Sequence, residues 1–130
     1  MTSNMPDTQL ISNLVVTDPT GRILLTKRGE EDDRWWLPGE DLEPYEHPDE
    51  RAKKILSEFP WLTCQNLKLA NIQSFRGRRG WHVMFDYHVT ATGDSANDQA
   101  AWFDKDALPK TKHGQWESDT INHVLANEAL

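Results

Sequence analysis

The sequence predicts an α/β protein, either α+β or an α/β/α sandwich on a mixed sheet, and three observations carry that expectation. A β-branched run from Gln9 to Thr17 is followed by a turn and a second apolar run. A carboxylate-rich loop then leads into one amphipathic helix of about three turns. Finally, a strictly alternating segment, Trp81 to Ala91, precedes another strand and a last helix. At 130 residues the chain is expected to form a single domain, 1–130, with residues 1–7 frayed.

Each element has a local reason. QLISNLVVT (Gln9 to Thr17) has the composition of a strand. Asp18-Pro19-Thr20-Gly21 is a turn, its proline presetting one dihedral and its glycine tolerating a positive one. RILLTKR (Arg22 to Arg28) is therefore expected to return as the partner strand of a hairpin. The charged loop Gly29 to Asp33 leads to a short strand, Arg34 to Leu37, which Pro38-Gly39 ends. At His47-Pro48-Asp49-Glu50 a proline stands at the first helical position and two carboxylates follow at the positive end of the dipole. Phe59 before Pro60 marks the stop. Between these limits Ala52, Ile55, Leu56 and Phe59 form an apolar stripe that can dock on a sheet.

Leu67 to Phe75 reads as a strand, joined by a turn at Arg76 to Gly80 to the alternating strand. There Trp81, Val83, Phe85, Tyr87 and Val89 point one way, and His82, Met84, Asp86, His88 and Thr90 the other. The second set reads as the solvent side of the sheet, with a metal cluster of His82, Asp86 and His88 as the sharper alternative. Thr92 to Asp98 is a polar turn, Gln99 to Phe103 a strand, and Asp104 to Gly114 a loop. Ser118 is expected to cap the last helix, whose stripe is Ile121, Val124 and Leu125.

Composition excludes several classes. With 37% hydrophobic and 27% charged residues, the chain fits a soluble globular domain, and no run approaches the roughly eighteen apolar residues of a membrane helix. No basic segment followed by an apolar stretch marks a secretory signal, and the lone Cys64 forms no internal disulfide. A cytoplasmic setting is expected, with Cys64 an inert buried thiol. The net charge of -7 argues against nucleic acid as the main partner, Arg76-Gly77-Arg78-Arg79 being a local exception. A membrane is not expected as a partner, and a homodimer is left open.

From Leu37 to Leu62 the sequence resembles the Nudix hydrolase superfamily. Trp35-Trp36-Leu37-Pro38-Gly39 matches the approach to that family's box, with Glu40 where a second glycine belongs. Leu42, Glu43, Pro44 and Glu46 match, and Tyr45 replaces a common glycine. Lys54 stands for an arginine, Leu56 and Leu62 for aliphatic residues, and Glu58 for the first glutamate of a closing pair. Ile55, Phe59 and Trp61 replace a glutamate, the second glutamate of the pair, and a glycine. GRILLTKR and AAWFDKDALP resemble the family's hairpin strand and its strand before the last helix, so the resemblance covers roughly residues 9 to 127.

The resemblance implies the Nudix α/β/α sandwich, a mixed sheet between the box helix and a C-terminal helix. It implies cleavage of a phosphoric anhydride in a nucleoside diphosphate linked to another moiety, aided by Mg²⁺ or Mn²⁺, which favour hard oxygen ligands and activate water. Carried over, Glu58 and the Gly39 carbonyl would hold metal, with Glu46 as a further ligand or as an organiser of the box beside Lys54. His113, with Glu117 close by, would supply a base, since an imidazole titrates near neutral pH. Trp36 would stack on a base or lie in the core while Trp35 packs under the loop, and Arg78 and Arg79 would contact phosphates. The bland readings are a solvated helix surface for Glu58 and a solvated hairpin tip for the two arginines. Two classes compete: a divergent Mg²⁺-dependent Nudix hydrolase, and a non-catalytic Nudix-like domain that binds a nucleotide or a protein partner.

Overall fold

The computed structural model describes residues 7–29, 33–94 and 98–126. In chain order its elements are β1 (Thr8–Thr17), β2 (Ile23–Lys27), β3 (Trp35–Trp36), β4 (Gly39–Asp41), α1 (Pro48–Ser57), β5 (Thr63–Gly77), β6 (Gly80–Thr92), β7 (Ala100–Phe103) and α2 (Gln115–Ala126). The strands form one mixed sheet with a helix on each face, as the sequence predicts. Of the segment expected to fray, residues 1–6 lie outside the described residues, while the Asp7 carbonyl accepts the Trp81 amide at 2.8 Å. Parts of two expected loops, residues 30–32 and 95–97, also lie outside them.

β1 is the spine. It runs parallel to β6 in a ladder from Thr8↔Trp81 to Thr17↔Thr90. Its other edge is shared: β4 pairs antiparallel with Ile11 to Asn13, and β2 meets only its last residue, Thr17↔Ile23. The expected β1–β2 hairpin is therefore a hairpin in connection but hardly in pairing. β2 is drawn away because β7 and β3 pair with it, and the vacated edge of β1 takes the Pro38–Asp41 segment, with the Leu14 amide donating to the Pro38 carbonyl at 2.8 Å.

Alternation along β1 and β2 splits the core into two layers. Leu14, Val16 and Leu24 join Ala52, Ile55 and Phe59 of the α1 region, with Tyr87 and Val89, on one face. Val15, Ile23 and Leu25 join Ile121 and Val124 of α2 on the other. α1 is anchored at its start, where the Ser12 hydroxyl donates to the Pro48 carbonyl at 2.8 Å and the Tyr87 hydroxyl donates to Asp49. No helix among the described residues is long and apolar enough to cross a membrane.

Four expectations are corrected. The His82-to-Thr90 side of β6 is not a solvent face, because α2 covers it: Asp86 is fully buried and accepts hydrogen bonds from Asn13, Asn71 and Gln73 at 3.1, 3.0 and 2.7 Å. Burial still pushes its carboxyl above the ordinary range, against those three donors. The metal alternative fails too, since His88 turns to Thr17 and His82 stacks on Phe75, and no cluster among the described residues could hold an ion. Ser118 does not cap α2, which starts earlier at Gln115, after Gly114 with its positive φ of 65°. Cys64 is exposed, lying near the start of the sheet-edge strand β5.

Ile55 is 1% exposed between α1 and the sheet. Ile55→Ala is expected to lower unfolding free energy by about 2–5 kcal/mol in urea titration, the range for deleting a buried aliphatic side chain.

Candidate functional site

A cleft of about 310 Å³ opens between the C-terminal end of α1, the β4 start and the β2 and β7 ends. Gly39, Glu40, Ile55, Glu58, Phe59 and Arg28 are among its lining residues. That size lies at the low end for small-ligand pockets, enough for a diphosphate with part of a nucleoside. The floor is apolar, because Ile55 and Phe59 also belong to the α1-side core.

Its charged lining residues are Lys27, Arg28, Glu40 and Glu58, and Arg51 reaches Glu40 from α1. Arg28 Nη2 donates to the Gly39 carbonyl at 2.5 Å, and the guanidinium lies over the Trp36 ring at 4.3 Å. Arg51 Nη1 pairs with Glu40 at 3.1 Å. Glu58 and Glu40 both line the cleft. Burial first, then the Glu40 carboxylate, raise the Glu58 pKa, while Arg28 and Arg51 pull it down.

Glu46 lies behind this rim. Its side chain is 4% exposed and both oxygens are engaged, by Arg51 Nε at 2.7 Å and the Glu43 amide at 3.0 Å on one, by Lys54 Nζ at 2.8 Å on the other. The Lys54 hydrogen bond, helped by the Glu43 amide and Arg51, holds its carboxyl down at about 2. Lys54 and Glu46 thus tie the loop to α1. Tyr45, one residue earlier, has a φ of 64°. The backbone there keeps the left-handed turn that a glycine adopts without strain, although this chain has a tyrosine.

His113 and Glu117 come together with each other and not with Glu58. Glu117 is fully buried and accepts the His113 amide at 3.1 Å and its Nδ1 at 3.0 Å. This carboxylate, in the first turn of α2, holds the backbone just ahead of the helix. Trp36 intervenes between the two sets, its ring edge-on to His113 at 5.4 Å and covered by Arg28 and by Lys112 at 5.6 Å. Trp35 packs edge-on against Phe103 at 4.9 Å. Arg78 and Arg79 are exposed at the β5–β6 tip, where Arg79 meets Asp41 at 3.3 Å, outside the cleft lining.

The metal set that the resemblance implies does not fit these residues. Ile55 and Phe59 offer no oxygen, Arg28 holds the Gly39 carbonyl, and Glu46 is spent on two cations. Sequence reasoning missed Arg28 and Arg51. A usable signal for Arg51 was present: Glu40, Glu43 and Glu46 recur every third residue, and a cation in the first turn of α1 can reach all three. Arg28 carried no such signal, since only folding brings the β2 end to the β4 start.

No protein-family model and no curated protein matches the sequence. Solved structures do. A mutator MutT protein from Bacillus halodurans superposes with a TM-score of 0.66 at 24% identity, over 94% of this chain and 85% of that one. A mutT/nudix family protein from Listeria innocua gives 0.71 at 21%, over 95% and 94%. This chain has the Nudix fold. A Caenorhabditis elegans Ap4A hydrolase reaches 0.69 at 12% identity, over 95% and 100%. Within the Nudix fold the cleft lies at the box, between its loop and the end of its helix.

Because the Glu46 carboxyl is held near 2, below the 4.5 of a free glutamate, its ion pairs add stability that is complete above about pH 5 and is lost as pH falls from 4.5 towards 2. Glu46→Gln is expected to unfold at lower urea than the parent at pH 7. The gap between the two midpoints should shrink as titrations approach pH 2.

Proposed function

We propose that the cleft binds a nucleotide-type ligand through its diphosphate group, and that its residues are suited to binding rather than to metal-assisted hydrolysis. The ligand class is supported by structural neighbours titled UDP-X diphosphatase and Ap4A hydrolase, whose named compounds carry phosphoric anhydrides. The observation that carries the binding reading is Arg28. Its guanidinium is fixed on the cleft wall by the Gly39 carbonyl and the Trp36 face, and a guanidinium matches the geometry of phosphate oxygens. The apolar floor of Ile55 and Phe59 supports the same reading, since it supplies neither a ligand for an ion nor a base for water.

One observation favours a second reading, Mg²⁺-dependent hydrolysis of the same ligand class. Glu40 and Glu58 crowd each other at the rim, and an added cation would relieve that repulsion. In that reading His113, oriented by Glu117, would have to act from beyond Trp36.

A panel of nucleoside diphosphate sugars, dinucleoside polyphosphates and nucleoside triphosphates separates the two. Thermal stabilisation by at least one compound, with the compound intact by phosphorus NMR after incubation with Mg²⁺ or Mn²⁺, is the expected result. Arg28→Ala should weaken that binding about tenfold, the scale of one charge-assisted contact. Release of a nucleoside monophosphate or phosphate, abolished by Glu58→Gln, would establish hydrolysis instead.

A further inference from the structure

We infer that the Arg28 guanidinium is the resident cation of this cleft, standing in the place that the resemblance gives to a divalent ion. The ligand class used below rests on the preceding reading; the place of the cation does not. Two independent contacts fix it. Arg28 Nη2 donates to the Gly39 carbonyl at 2.5 Å, the oxygen that would otherwise face a metal. The Trp36 ring lies 4.3 Å from the guanidinium carbon, a cation–π contact that holds the group beside the cleft. Glu58, the carboxylate at the box position, lines the same cleft.

Charge and chemistry agree with this placement. Among the described residues that line the cleft, Glu40 and Glu58 are offset by Lys27 and Arg28, so these leave no excess of negative charge for a divalent ion. Magnesium also requires several oxygen ligands in near-octahedral array. Ile55 and Phe59, 1% and 8% exposed, fill the floor from which two such ligands would project. A divalent ion entering here would displace Arg28 from Gly39 and then face its charge. A diphosphate meets no such conflict, because arginine offers several N–H donors in one plane and Gly39 needs one. Among the described lining residues, the carboxylates that would repel it are Glu58 and Glu40.

That last point gives the inference a sign that the metal reading lacks. If a metal bridged protein and phosphate, removing the Glu58 charge would weaken binding. With Arg28 as the cation, removing it should strengthen binding, because a carboxylate that competes for the guanidinium and repels the phosphate is gone.

The experiment uses two probes on the whole chain. Titration of Mn²⁺ followed by electron paramagnetic resonance should find no stoichiometric site in the parent below about millimolar metal, a range where hard-oxygen sites of full charge do bind. Calorimetry with inorganic pyrophosphate should give the same affinity in EDTA as in Mg²⁺. Arg28→Gln should weaken it about tenfold, Arg28→Lys less, and Glu58→Gln should tighten it. Circular dichroism melts of each variant separate lost binding from lost fold. A stoichiometric Mn²⁺ site removed by Glu58→Gln, or pyrophosphate binding that needs Mg²⁺, would overturn the inference. If pyrophosphate binds in neither condition while Mn²⁺ is still excluded, the diphosphate ligand falls and the place of Arg28 stands.

Discussion

Arg51 keeps the loop over the cleft from flying apart. Between Gly39 and His47 the chain carries four carboxylates, Glu40, Asp41, Glu43 and Glu46, in a stretch too short for them to avoid one another. Its guanidinium, on a side chain only 13% exposed, takes Glu46 at 2.7 Å and Glu40 at 3.1 Å, with Glu43 at 3.7 Å. The planar fork suits this work, since it reaches separate acceptors that a compact ammonium would have to choose between. Arg51 thereby fixes the loop and Glu40, next to Gly39, which β1 seats by strand pairing. The Gly39 carbonyl and the Trp36 ring in turn hold Arg28.

Local chemistry made much of this legible in the sequence. The box helix was readable because Pro48, the following acids and Pro60 bracket a clean apolar stripe, and its observed span ends within two residues of the expectation. β6 was readable from its alternation, but not the burial of both its faces, since alternation says which residues share a side and nothing about what covers them. The pairing of β1 was illegible for a related reason. A turn after Thr17 announces a hairpin, whereas the parallel ladder to β6 joins segments separated by most of the chain. The start of α2 was missed because it follows Gly114, whose φ of 65° turns the chain into the helix, rather than a hydroxyl.

The cleft itself was half legible. The resemblance singled out Gly39, Glu46 and Glu58, of which Gly39 and Glu58 line the cleft, but it gave Glu40 no part and could not say what stands opposite the carboxylates. Ile55 and Phe59 serve the α1-side core and the cleft floor at once. A glutamate at either position would have to be drawn out of that core by an ion; an apolar residue simply stays. Tyr45 tells the same story from the backbone, keeping a glycine's conformation after the glycine is gone.

The parallel ladder between β1 and β6 has a consequence for the order in which the molecule is made. Parallel strands cannot zip from a tight turn, and Asn13 must find Asp86 across 73 positions of chain. On the ribosome the first strand therefore emerges long before its partner and has only short contacts with β4 and β2 to occupy it. Its central run, Leu14-Val15-Val16, is wholly buried at the end and wholly unprotected at the beginning. Only when β6 closes against it is this edge of the spine covered, and β2 in turn waits for β7.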